Sequence, residues 1–115
     1  MDSEEMKRRT KQFAINVGVL TQGLPDSQIN RAYSNQIIRS SSSVGANYRA
    51  SRRAKSNADF INKLKIVEEE LDESLFFLEL LAFFNQPQKE DIGILYREGE
   101  TLFKIIVASI VSSRK

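Results

Sequence analysis

Arg39–Ser56 reads RSSSSVGANYRASRRAKS. Four consecutive serines, one glycine and five basic residues stand here between apolar-rich flanks. As a linker this stretch would split the chain into two small halves. As a helix it would join them into one bundle, so its reading decides the fold. The flanks settle the matter by their phase. Ile29, Tyr33, Ile37, Ser40, Val44, Asn47 and Ser51 fall at spacings of three or four, and that helical stripe runs straight through the serines. Serine and glycine disfavour a helix by roughly 0.5 and 1 kcal/mol each relative to alanine, about 3 kcal/mol for Ser40–Ser43 with Gly45. Tertiary packing has to offset that, and small side chains allow it by letting a second backbone come close. The stretch therefore predicts a helix over about 27–53, capped by Asp26 or Ser27, with a bend near Ser42–Gly45.

Working outward, Asp2 and Glu5 make a capping arrangement ahead of Phe13, Val17 and Leu20, with Met6 and Ala14 near the same stripe. This first helix covers about 2–21 and stops at Gly23-Leu24-Pro25. A third helix over about 57–84 has Asn57 as its cap and a core stripe of Ile61, Leu64, Val67, Leu71, Leu75, Leu78 and Ala82. Asn85 and Pro87 end it. Beyond Leu75 its apolar surface widens: Phe76, Phe77, Leu80, Leu81, Phe83 and Phe84 cover most of the circumference. A helix that is apolar all round is buried on more than one side, which predicts self-association. The fourth helix, about 89–113, carries Ile92, Leu95, Tyr96, Gly99, Leu102, Phe103, Ile106 and Ile110 on one stripe. Ile94 and Ile105 lie off it and are assigned to the same subunit contact. The expectation is a single all-α domain over residues 1–115, an antiparallel up-and-down four-helix bundle without strands.

Composition narrows function by exclusion. The chain of 115 residues has no cysteine and no histidine, so disulfides, thiolate metal sites and the commonest general base are all missing. Glu68–Glu73 is densely acidic, but a carboxylate di-metal bundle would need Glu-x-x-His pairs, and the run reads as a solvated helix face. No phosphate-binding glycine loop is present, and no serine stands out as a nucleophile. No apolar run spans a membrane, and the charged start MDSEEMKRRTK lacks a secretory core. These points predict a cytoplasmic, bacterial-type, non-enzymatic protein with no cofactor, no metal and no small-molecule substrate.

Charge points to a partner. Residues 1–56 hold ten Lys/Arg against four Asp/Glu, and residues 57–115 hold seven against eleven. Arg49, Arg52, Arg53 and Lys55 fall within seven residues, the three arginines on one helix face, while Lys7, Arg8 and Lys11 form a second group with Arg9. Guanidinium forks suit phosphate oxygens, so RNA or DNA is the expected partner, bound without strong sequence preference. A stacking platform for bases is absent, since Tyr48 stands alone. The other function class is a protein–protein interaction scaffold with no nucleic-acid role, its cations serving solubility or pairing with Glu68–Glu73.

Ser43-Val44-Gly45-Ala46-Asn47-Tyr48-Arg49-Ala50, Ala58–Glu70, Asp72-Glu73-Ser74-Leu75 and Leu78-Glu79-Leu80-Leu81 resemble the four-helix-bundle family named for the 23S rRNA-intervening-sequence protein. The likeness extends over nearly the whole chain, including Leu24-Pro25 and Gln36-Ile37-Ile38-Arg39, and also touches the accessory protein of diversity-generating retroelements. The resemblance implies a bundle assembled as a ring, typically a homopentamer. It further implies that some members are encoded within rRNA insertions, or bind nucleic acid and a reverse transcriptase through basic surfaces. Arg39, Asn47, Tyr48 and Arg49 match the family's second-helix motif, which Arg52 and Arg53 extend. Where relatives often carry Tyr-Trp, this chain has Phe76-Phe77, which keeps the apolar contact and drops two polar handles.

Overall fold

The computed structural model describes residues 2–114. Four long helices follow one another: α1 (Ser3–Gln22), α2 (Gln28–Ser51), α3 (Asn57–Phe84) and α4 (Lys89–Ser113), with a short 3-10 turn at Gln86–Gln88 before the last. There is no strand among the described residues. At 1.5 Å per residue α3 is about 42 Å long, which matches the long axis of a 45 × 20 × 20 Å body. Neighbouring helices are antiparallel. Asn30 meets Asn85 while Arg39 meets Glu70, and Tyr96 meets Glu79 while Asn57 meets Ser113. The chain circles the bundle in order, so α1 and α3 stand on one diagonal and α2 and α4 on the other.

The serine run is helical throughout, within an unbroken α2. Ser40 and Ser41 are fully buried. Ser40 Oγ lies 2.8 Å from Ser74 Oγ of α3, and Ser74 Oγ also donates to the Glu70 carbonyl at 2.9 Å. Small side chains also bring α1 close, because a methyl group placed on Gly45 would sit 3.6 Å from the Thr10 carbonyl carbon. Close approach, with every buried hydroxyl bonded, offsets the poor helix propensity of the run.

Three details depart from the sequence reading. The inward stripe of α2 is displaced by one residue at two points: Asn30 and Tyr48 are buried, whereas Ile29 is 37% exposed and Asn47 is half-buried, while Ser51 holds its inward place. Asn30 takes the inward place because its amide bonds the Pro25 carbonyl and exchanges two 2.8 Å hydrogen bonds with Asn85, closing the loop end of the bundle. Ser56, not Asn57, caps α3, its Oγ accepting from the Asp59 N–H at 3.1 Å. Asn57 is thereby freed to donate to the Ser113 carbonyl and tie α3 to the end of α4. Helix α2 also ends earlier, with Arg52 as its C-cap residue. The remaining stripes hold: Phe13, Val17, Leu64, Val67, Leu71, Leu78, Leu102 and Ile106 are essentially inaccessible to water.

Candidate nucleic-acid interface

Because α1 and α2 are antiparallel, the first turns of α1 lie beside the last turns of α2 at one end of the bundle. Buried Tyr48 marks the junction, close enough to Asp2, Glu4 and Arg52 to feel their charges. Burial raises the Tyr48 phenol above its usual pKa, and Arg52 pulls the other way. The start of α3 completes this end, and its Phe60 ring lies under the Arg52 guanidinium at 5.6 Å. Both basic groups read from the sequence thus reach one end of the molecule.

Their chemical states differ. Arg49, Arg53 and Lys55 are exposed, and none of their side chains makes an ion pair within 4 Å among the described residues, although the Lys55 backbone N–H donates to the Asp59 carboxylate at 3.1 Å. Arg53 and Lys55, with Ser56, Asp59 and Lys63, line a shallow recess of about 500 Å³ at the N-terminus of α3. Lys7 and Arg8 are held by acids of their own helix, at 3.4 Å from Glu4 and 3.8 Å from Glu5. Lys11 is exposed and unpaired among the described residues, one turn further along α1. Arg9 belongs to the scaffold: its Nε and Nη2 donate to both Glu98 oxygens, at 3.1 and 2.7 Å, tying α1 to α4 and holding the guanidinium pKa above its ordinary value.

Arg39, matched to the family motif by position, points into the acidic run and engages Glu70 and Glu73 of α3. The α2–α3 seam thus neutralises part of Glu68–Glu73, which is less free than a purely solvated face would be. Tyr48 offers no platform for bases, since only 7% of it is accessible.

The other half of the bundle carries large apolar side chains on its outside as well as inside. Phe76, Phe83, Phe84 and Ile94 are 54%, 71%, 49% and 57% exposed, while Phe77 and Leu80 are half-buried. Tyr33 packs on Phe77 and Phe84 with ring centroids 6.0 and 6.1 Å apart, extending the aromatic surface onto α2. Ile105 stands apart, near the opposite end, in a shallow cleft with Phe60 and Ala108. Two residues escaped the sequence reading: Ile15 and Val19 of α1 are also exposed. Their signal was the i, i+4 spacing of two β-branched residues off the core stripe. With Ile94, Leu95 and Leu20, Val19 borders a groove of about 360 Å³ between α1 and α4. No helix among the described residues is long and apolar enough to cross a membrane.

A family model described as 23S rRNA-intervening sequence protein matches residues 3–108. Among solved structures, the chain is similar to a Bacteroides thetaiotaomicron protein described as of unknown function from the S23 ribosomal protein family. The two share 33% identity and a TM-score of 0.86 over 96% of this chain and 98% of the other. No curated protein matches.

Proposed function

We propose that this chain, which belongs to the 23S rRNA-intervening sequence protein family, is a non-enzymatic cytoplasmic protein that self-associates and binds RNA or DNA through phosphate contacts at one end of its bundle. The observation that carries the reading is the cluster of Arg49, Arg53 and Lys55, whose exposed side chains make no ion pair among the described residues, beside Arg52. Cations that stabilised the fold would be paired, as Arg9 and Arg39 are. These are left facing water, in the geometry that suits phosphate oxygens. Nothing at this end reads bases, so binding is indifferent to sequence.

Four cations in one copy support only weak binding, because each neutralised phosphate contributes modestly and salt competes. Self-association supplies the multiplicity, and the exposed phenylalanines of α3 support it. The assembly proposed is a ring, five copies in number as the family resemblance implies.

Gel mobility shift with an rRNA fragment and a DNA duplex tests this at about 50 and 200 mM salt. Retardation of both at the lower salt, lost at the higher, is the expected result. Arg52→Glu with Arg53→Glu weakens it for all sequences alike. Absence of retardation at the lower salt overturns the reading. A second reading, a protein-interaction scaffold, draws on the ion pairs of Lys7 and Arg8 and the stacking of Arg52 on Phe60. Under that reading the same double variant changes the size of the assembly and leaves the gel unchanged.

A further inference from the structure

We infer that the cleft between the start of α3 and the end of α4 receives an unpaired base of a single-stranded polynucleotide, stacked against Phe60. This rests on the phosphate binding proposed above and names the part of the nucleic acid taken beside it. Asn57 at the start of α3 donates to the Ser113 carbonyl of α4 at 2.9 Å, which sets the two helix ends side by side. Counting from the Arg9–Glu98 pair, the first residue of α1 stands about level with Lys104. Helix α4 continues to Ser113, about 13 Å further. Its last turns therefore extend past the start of α1. Phe60, Ile105, Ala108, Ser109, Ser112 and Ser113 line the cleft left there, about 430 Å³ in volume, and no α1 residue lines it among the described residues.

The lining suits a flat ring with a polar edge. Phe60 and Ile105, both half-buried, supply apolar walls. Ala108 and the serines are small and leave room that larger side chains would fill. The Ser109 and Ser113 hydroxyls donate to carbonyls of their own helix, at 3.0 and 2.7 Å, and Ser112 stands exposed at the rim. Phe60 also carries Arg52, whose guanidinium lies 5.6 Å from the ring centroid. One ring is thus both a wall of the cleft and the support of a cation. Arg114, exposed, follows Ser113 directly on the α4 side.

Charge selects the occupant. Asp91 lines the α1–α4 groove and Asp59 the recess beside Arg53, whereas no acid lines this cleft among the described residues. A neutral apolar ligand would leave the flanking cations unused, and a lone phosphate would leave the ring unused. A polynucleotide engages both, because it carries one base for each phosphate. Stacking tolerates any base, since each has a π face, so binding stays indifferent to sequence. A duplex keeps its bases on one another and makes the phosphate contacts alone.

Fluorescence anisotropy at about 50 mM salt tests this with two labelled single strands of about 10 nucleotides, one of mixed sequence and one of abasic sites. The abasic strand has the same charge and no rings. The native chain should hold the base-bearing strand about tenfold more tightly, the effect of one stacked base. Phe60→Leu keeps an apolar wall and removes the ring, and Ser112→Leu fills the cleft from an exposed position. Each should bring the ratio of the two affinities to about one, with helix content kept by circular dichroism. Phe60 is half-buried, so the Ser112 variant decides the matter if Phe60→Leu unfolds. A fluorescent purine analogue in the strand should be quenched on binding the native chain and stay bright with Ser112→Leu. Equal affinity of the native chain for both strands, or a preference that survives in Ser112→Leu, overturns the cleft and leaves the phosphate reading standing. If neither strand binds, the phosphate reading falls and the cleft falls with it.

Discussion

Ser40, Ser41 and Ser74 have no accessible surface, while Phe83 on the next turns of the same α3 helix is 71% exposed. These two stretches invert the usual assortment of polar and apolar residues, and they do so with different consequences. A buried hydroxyl finds its partners inside one copy. Ser41 can donate to Ile38 and Ser74 to Glu70 within their own helices, and Ser40 and Ser74 bond each other. Burial then costs little, and the small volume lets α2 and α3 close on one another. An exposed ring has no comparable remedy. Phe83 leans on Phe84 and Phe76 on Phe77, at 5.1 and 5.5 Å between centroids, yet their outer faces remain in water. Only a surface from outside the copy can cover them.

The largest expected effect tests that asymmetry directly. Ser74→Leu places a branched side chain where no space is open and removes the partner of Ser40. Overpacking and the orphaned hydroxyl together should destabilise by about 3 kcal/mol, a fall of about 10 °C in Tm for a domain of this size. Phe83→Ser should leave Tm within about 2 °C, as an exposed substitution. Both are to be compared by calorimetry at several protein concentrations, so that any mass-action contribution from self-association is read out separately. Equal losses would show that the phenylalanine supports its own copy and would erase the contrast.

Two glycines sharpen it at smaller scale, with opposite signs. Both lie inside helices, where alanine gains roughly 1 kcal/mol of propensity. At Gly45 the added methyl group would stand 3.5 Å from Thr10 Oγ1, an ordinary contact, so Gly45→Ala should stabilise by about 0.5–1 kcal/mol. At Gly99 it would meet Leu75 Cδ2 at 2.8 Å and the Phe13 ring at 3.3 Å, so Gly99→Ala should destabilise by about 1–2 kcal/mol. Urea titration separates the two through their midpoints. If both variants gain stability, Leu75 can turn aside freely and the tight point of the core lies elsewhere.

Sequence periodicity carried the helices because burial follows phase, and the phase of Phe13–Val17, Leu64–Leu78 and Ile92–Ile110 is unbroken. It failed at the start of α2, where hydrogen bonding outranked hydrophobicity. Ile29 looks like core and Asn30 like surface until Asn85, 55 residues away, supplies the partner that reverses them. The cation clusters were equally legible as spacing, but not their states. Arg39 and Arg49 look alike in one dimension; the acids that claim the former come from another helix. The α1–α4 face was hidden for a related reason. Ile15 and Val19 read as isolated apolar residues, and only the closure of the bundle sets them beside Ile94 and Leu95 around a groove.

The smallest effect concerns Tyr48, the one large ring that belongs to the polar end yet is buried like the core. Burial raises its pKa above the reference 10.0. The folded chain thus holds the phenolic proton more tightly than the unfolded chain. Stability from this group is complete below about pH 10 and declines as pH rises through the folded value, because unfolding then releases a proton. Tyr48→Phe keeps the ring and removes the titration. It should leave Tm at pH 7 nearly unchanged and make the fall in Tm between about pH 9.5 and 11 shallower. A residual slope persists, because Tyr96, raised by burial and by its hydrogen bond to Glu79, still titrates in the variant. Arg52→Glu should act in the opposite sense and steepen the alkaline fall, since it removes the charge that favours the phenolate. An alkaline slope identical in Tyr48→Phe and the native chain would mean that this hydroxyl already meets water, and that the junction beneath the cations is more open than its packing indicates.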